Sequence, residues 1–88
     1  MKVVVLYRPN SEHARIVEEY IHDFQGRHSG SKLEVVSLDT RDGSATATLY
    51  GVMQYPAFLV VQNDGYVQKM WEGAPLPMMD EVVSYATA

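Results

Sequence analysis

The stretch Leu49-Tyr50-Gly51-Val52-Met53-Gln54-Tyr55-Pro56-Ala57-Phe58-Leu59-Val60-Val61 decides the fold of this chain. Its beginning is typical of a short helix that ends at Gly51, because glycine readily adopts the conformation that closes a helix. The apolar run Ala57–Val61 is typical of a strand whose two faces are both covered. Pro56 opens that strand, so the chain has a helix end, a short loop and a buried strand in immediate succession.

Two further strands and a helix are predicted upstream of this stretch. The apolar runs Lys2–Tyr7 and Leu33–Leu38 are predicted strands. Between them, apolar residues recur at the spacing of an amphipathic helix, namely Ala14, Val17, Tyr20, Ile21 and Phe24. Asn10 or Ser11 is the predicted cap of this helix, and Gly26 its predicted end. A strand–helix–strand unit of this length favours a right-handed parallel crossover.

One more strand and two more helices are predicted from similar patterns. A short helix is predicted over Ala45–Tyr50, and Asn63-Asp64-Gly65 predicts a tight hairpin that leads into an antiparallel strand, Tyr66–Trp71. A last helix is predicted over Met78–Tyr85. The predicted order is βαβαββα, in one domain that covers residues 1–88. Hydrophobic residues make up 47% of the chain, which is enough for a packed core.

Composition excludes several classes of function. The chain has no cysteine, and its net charge is −4 without a basic stripe, which argues against a nucleic-acid partner. No segment approaches a membrane span, and the apolar run Val3–Leu6 is too short for a signal peptide, so a cytoplasmic protein is expected. The spacing of His13, His22 and His28 does not predict a metal site.

The segment Tyr50–Pro56 resembles the thioredoxin pattern Y-G-I-x-x-I-P, with the same spacing from tyrosine to proline. Val35–Asp39 is similar to the strand and aspartate that precede the short helix of that family, and Asn63–Gly65 followed by Glu72-Gly73-Ala74 is similar to its terminal hairpin. The resemblance covers essentially the whole chain. It implies an α/β, thioredoxin-like fold with a four-stranded mixed sheet in the order 2-1-3-4, flanked by helices, and a cis peptide bond before Pro56.

The chain departs from the family where the redox chemistry would be. Leu6–Ala14 is similar to the glutaredoxin-like pattern L-Y-x-x-P-x-C-x-x-C, but Ser11 and Ala14 stand at the two cysteine positions. Thiol–disulfide exchange requires a thiolate, so a redox-inactive protein is expected. Tyr55 and the pair Ala74-Pro75 replace residues with which glutaredoxin-like proteins hold glutathione. These replacements argue against glutathione binding, and no other cofactor is expected.

The resemblance implies a binding role for the loop that contains Pro56. In the family, the residue before this proline pairs through its backbone with an extended peptide, and here that residue is Tyr55. The implied peptide-binding residues are Asn10, Ser11, Gln54, Tyr55, Pro56 and Gly73. The partner would be a protein or peptide. Alternatively, Pro56 only shapes the loop, and Met53 and Tyr55 belong to either an exposed patch or the core.

Two other functions remain open at this stage. The first half of the chain also resembles the thioredoxin-like clock proteins of cyanobacteria, which implies assembly or signalling through helix faces or a sheet edge. The ordinary hairpin Asn63–Gly65 argues against their change of fold. The hypothesis of an enzyme that uses no thiol is supported only by Ser11 at a helix start. Residues two apart on a helix face different directions, so His13 is a poor base for Ser11.

Overall fold

The computed structural model describes residues 1–87, which form three helices and four strands. The elements are β1 (Lys2–Tyr7), α1 (Ala14–Arg27), β2 (Leu33–Ser37), α2 (Arg41–Tyr50), β3 (Ala57–Val61), β4 (Val67–Glu72) and α3 (Met79–Ala86). They form one sheet with the strand order β2-β1-β3-β4. The predicted fold class, element order and strand order are therefore confirmed.

The two central strands are β1 and β3. β1 pairs in parallel with β2, where Val5 lies opposite Val35, as expected of the crossover through α1. On its other side, β1 pairs antiparallel with β3, where Val4 lies opposite Leu59. β4 closes the sheet through the hairpin that follows β3. Because both central strands are buried on two faces, their sequences are nearly continuous apolar runs.

The core has a layer on each face of the sheet. Beneath α2, side chains from β1 and β3 pack with helix and loop residues, and the buried members are Val4, Leu6, Leu38, Ala47, Val52, Ala57, Leu59 and Val61. On the opposite face, α1 and α3 cover two adjoining clusters that contain Val3, Val5, Tyr7, Ala14, Val17, Phe24, Phe58, Val60 and Val82. None of the helices in residues 1–87 is long and apolar enough to cross a membrane.

The start of α1 differs from the sequence prediction. The helix begins at Ala14, and its N-cap is His13, which makes no capping hydrogen bond through its side chain. The predicted cap at Asn10 or Ser11 is therefore wrong. The Ser11 hydroxyl instead donates to the carbonyl oxygen of Arg8 at 2.7 Å, and the Ser11 amide donates to the same oxygen at 3.2 Å. The hydroxyl thus closes a turn after β1 instead of accepting a hydrogen bond from α1.

The second helix is longer than predicted. α2 begins at Arg41 instead of residue 45, because Thr40 caps it: the threonine Oγ1 accepts a hydrogen bond from the Gly43 amide at 2.9 Å. Gly43 lies where the first turn of α2 meets the end of β2. A Cβ atom at this position would overlap the carbonyl oxygen of Ser37, so only glycine allows this approach. Apart from the starts of α1 and α2, the predicted and observed ends of the helices and strands differ by at most one residue.

Candidate functional site

The carboxylate of Glu72 holds the loop between α2 and β3. α2 ends at Tyr50, and its C-cap is Gly51, whose φ of +70° is in the left-handed region. Beyond it, one carboxylate oxygen of Glu72 accepts hydrogen bonds from the backbone amides of Met53, at 2.6 Å, and Gln54, at 3.3 Å. The last residue of β4 therefore fixes a loop that precedes it in the chain by almost twenty residues.

Pro56 and Gly73 lie side by side where β3 begins and β4 ends. The Tyr55–Pro56 peptide bond is cis, as is the Ala74–Pro75 bond. The Gly73 amide donates to the carbonyl oxygen of Pro56 at 2.8 Å. Gly73 has a φ of +74°, and a Cβ atom there would lie 2.8 Å from Oε1 of Gln54. The structure thus brings together three of the predicted binding residues.

Tyr55 is held by its side chain, while its backbone is free. The ring is half-buried and packs against the core cluster beneath α2. The Arg8 guanidinium carbon lies 5.9 Å from the ring centroid, and the guanidinium is paired with Asp39 at 3.2 Å. Neither the amide nor the carbonyl of Tyr55 has a hydrogen-bond partner within residues 1–87. The Tyr55 amide and carbonyl are therefore free to pair with another strand.

The other two predicted binding residues stand apart from this loop. Asn10 is exposed, and Ser11 is occupied with the turn after β1. In the part of the chain that the structure describes, no hydrogen bond joins either residue to Gln54, Tyr55 or Pro56. Ser11 is connected to the loop only indirectly, because Arg8 accepts the Ser11 hydrogen bonds through its carbonyl oxygen and lies over the Tyr55 ring through its side chain.

An apolar cavity opens beside Pro56 and was not predicted from the sequence. Its volume is about 280 Å³, and its walls are His13, Ile16, Val17, Pro56, Ala74, Pro75 and Leu76. The first turn of α1 forms one wall, and the loop after Gly73 forms the other. One signal was available in the sequence: Ile16 lies outside the buried stripe of α1, and in the structure it is 60% exposed.

The side chains near Ser11 are not arranged for nucleophilic catalysis. Nε2 of His13 accepts a hydrogen bond from the Arg8 amide at 3.2 Å, so it is not free to take a proton from Ser11. Tyr7 is buried beside it and donates to the Glu18 carboxylate at 2.8 Å. Burial raises the pKa of the Tyr7 hydroxyl, and the hydrogen bond to Glu18 raises it further. The hydrogen bonds of His13 and Tyr7 therefore fix the start of α1 against β1 and do not activate Ser11.

Comparison with known proteins supports the fold and nothing finer. The chain matches no protein-family model and no curated protein sequence. It is similar in structure to thioredoxin O2 from Arabidopsis thaliana in its oxidized state (TM-score 0.71, 13% identity), over 94% of this chain and 69% of that one. It is similar to thioredoxin 1 from the thermophilic eubacterium Thermosipho africanus TCF52B (TM-score 0.69, 13% identity), over 99% and 91%. A malarial protein is similar over 99% and 96%, with a TM-score of 0.71 and 13% identity.

These similarities agree with the single α/β domain and its four-stranded mixed sheet. At 13% identity they show a shared fold and do not transfer an activity. The chain has no cysteine, so the thiol pair that carries redox chemistry in thioredoxins is absent. The protein therefore has the thioredoxin fold without the cysteines of that family.

Proposed function

We propose that this redox-inactive, thioredoxin-like protein binds an extended segment of another protein at the proline loop. The observation that carries the proposal is the free backbone of Tyr55 beside the apolar cavity at Pro56. The amide and carbonyl of Tyr55 supply one donor and one acceptor at a fixed position. The cavity supplies a place for a side chain of the bound segment.

In this binding mode, the partner segment pairs as an extended strand with the backbone of Tyr55. The partner's carbonyl accepts from the Tyr55 amide, and its amide donates to the Tyr55 carbonyl. Each such hydrogen bond contributes about 1 kcal/mol net. Burial of one large apolar side chain in the cavity contributes about 2 kcal/mol more. Together with the ordering cost of the segment, these terms give weak, reversible binding unless further contacts are made.

The residues around Tyr55 have positioning roles in this proposal. Glu72 holds Met53 and Gln54, the Gly73 amide holds Pro56, and Arg8 lies over the Tyr55 ring. Asn10 and Ser11, in the turn before α1, would form the outer border of the binding site. No cofactor is needed for this function, since the protein's own backbone and side chains supply every interaction.

A selection from random peptides tests the proposal. Peptides displayed on phage are selected on the wild-type protein, and their affinities are then measured for Gly73→Arg and Gly65→Arg. Both glycines have positive φ and lie at opposite ends of the β3–β4 hairpin, so the variants share the backbone strain but differ in position. We expect at least tenfold weaker binding for Gly73→Arg and less than twofold change for Gly65→Arg. Equal binding to both variants, or no selected peptide, would contradict the proposal.

Two further expectations stay predictions. Assembly through helix faces or a sheet edge would appear as a concentration-dependent mass in light scattering, removed by surface changes away from Pro56. The cytoplasmic location would appear in fractionation of the native cells.

A further inference from the structure

A second cavity continues the first one along α1. Its volume is about 360 Å³, and its walls are Tyr20, Arg27, Leu76, Pro77, Met78, Met79 and Asp80. Leu76 lines both cavities, so they meet at this residue. We call the two cavities together the α1 groove. It begins at Pro56 and His13 and ends at Arg27.

Helix geometry makes the groove a continuous feature. His13, Ile16, Tyr20 and Arg27 are separated by three, four and seven positions, which places them along one side of α1. At 1.5 Å per residue, the distance along the helix axis from His13 to Arg27 is about 21 Å. An extended peptide rises about 3.3 Å per residue, so about six residues span the groove.

The chemistry changes along the groove. The end near Pro56 is apolar, and Ile16 on its border is 60% exposed. Met78, which lines the second cavity, is 74% exposed. At the other end, Arg27 is exposed and forms no ion pair within residues 1–87. Arg27 also faces the negative end of α1, but a guanidinium has five N–H donors, so donors remain for a ligand. Asp80 lines this end too and its carboxylate repels an acid, so an acidic ligand must lie over Arg27 on the side away from α3.

We propose that the partner segment runs along the α1 groove, with a large apolar side chain in the cavity at Pro56 and a carboxylate at Arg27. The inference rests on the proposed function, because the same segment pairs with Tyr55. From the level of Ile16 to that of Arg27, the axis is about 16 Å long, which corresponds to four or five residues of extended peptide. The partner sequence therefore carries an apolar residue and an acidic residue separated by four or five positions.

A second selection tests this spacing. Random eight-residue peptides are selected separately on the wild type, on Arg27→Glu and on Arg15→Glu. Arg15 is a matched control, because it lies on the same helix, its side chain is 89% exposed, and it lines neither cavity. We expect the wild type and Arg15→Glu to select the same apolar–acidic pair, and Arg27→Glu to select a basic residue in the acidic position. Exchange of the acidic residue for glutamine should weaken binding to the wild type about tenfold, as for loss of a charged hydrogen bond.

The outcomes separate this inference from the proposed function. If selected peptides show no acidic residue at this spacing, or if Arg27→Glu selects the same peptides, the segment does not reach Arg27 and the inference is wrong. The proposed function then stands if Gly73→Arg still loses the peptides, and fails with the inference if it does not. A wild-type dimer in light scattering that Ile16→Asp dissociates would assign the groove to a second copy of this chain and would overturn the inference.

Discussion

We expect position 43, where Gly43 contacts the backbone of Ser37, to tolerate substitution least in this fold. We predict that Gly43→Ala destabilises the protein strongly, although alanine is the better helix former. The new methyl group would overlap the Ser37 carbonyl oxygen and lie 2.9 Å from the Thr40 hydroxyl oxygen. Backbone atoms cannot rotate away as a flexible side chain can. The start of α2 must therefore move away from β2.

The size of the effect follows from what this movement breaks. The N-cap hydrogen bond from the Gly43 amide to Thr40 contributes about 1 kcal/mol, and overpacking of a backbone contact costs about 1–3 kcal/mol. The higher helix propensity of alanine offsets this loss by about 1 kcal/mol. We expect a net loss of about 1–3 kcal/mol. A chain of this length has a total stability of about 4–13 kcal/mol, so the loss is large.

Urea unfolding, followed by the fluorescence of Trp71, measures this loss directly, since Trp71 is the only tryptophan in the chain. Gly26→Ala is the matched control. Gly26 lies in the last turn of α1, and a Cβ atom there has no neighbour within 4 Å. We expect that variant to be more stable than the wild type by about 0.5–1 kcal/mol. A stability of Gly43→Ala within 1 kcal/mol of the wild type would refute the reasoning.

Three other predictions concern the proline loop, a tyrosine and the missing thiols. Glu72→Ala should destabilise the protein by about 1–2 kcal/mol in urea unfolding, because two loop amides lose their acceptor, and Glu72→Gln should lose less. Burial, aided by the Glu81 carboxylate, raises the pKa of Tyr20 to about 12. Between pH 10 and 12 this tyrosine therefore ionises in the unfolded chain but not in the folded one, so the stability should fall as the pH rises through this range. In an ultraviolet titration the last tyrosine to ionise should vanish in Tyr20→Phe, and its survival would contradict the assignment. In an insulin-reduction assay the protein should show no turnover, and any turnover would disprove the redox-inactive interpretation.

The sequence predicted the central strands best because their physical signal is simplest. β1 and β3 are buried on both faces, and their apolar runs end where the strands end. The helix starts were harder to predict. Residues 41–44 contain Arg41, Asp42, Gly43 and Ser44, which are common in turns, and the cap that makes them helical is the Thr40 hydroxyl before them.

The candidate site was predicted in part. The proximity of Gln54, Pro56 and Gly73 was expected from the resemblance, and the hydrogen bond from Gly73 to Pro56 places them together. The cavity was missed because its walls come from α1 and from the loop after Gly73, which are far apart in the chain. No local pattern reports such a contact. The Ser11 cap was wrong for a different, local reason, since a turn formed with Arg8 competes for the hydroxyl.

The position of β1 between β2 and β3 has a consequence for how the chain folds during its synthesis. β1 leaves the ribosome before the other three strands, yet one of its two neighbours is β3, so Val3 cannot pair until Val60 has emerged. The β3–β4 hairpin, by contrast, closes over a short turn and can form as soon as it emerges. Distant pairing of this kind slows folding, because loop-closure entropy is lost before the contacts compensate for it. Until residue 61 is available, the apolar edge of β1 stays open to chaperones or to neighbouring chains.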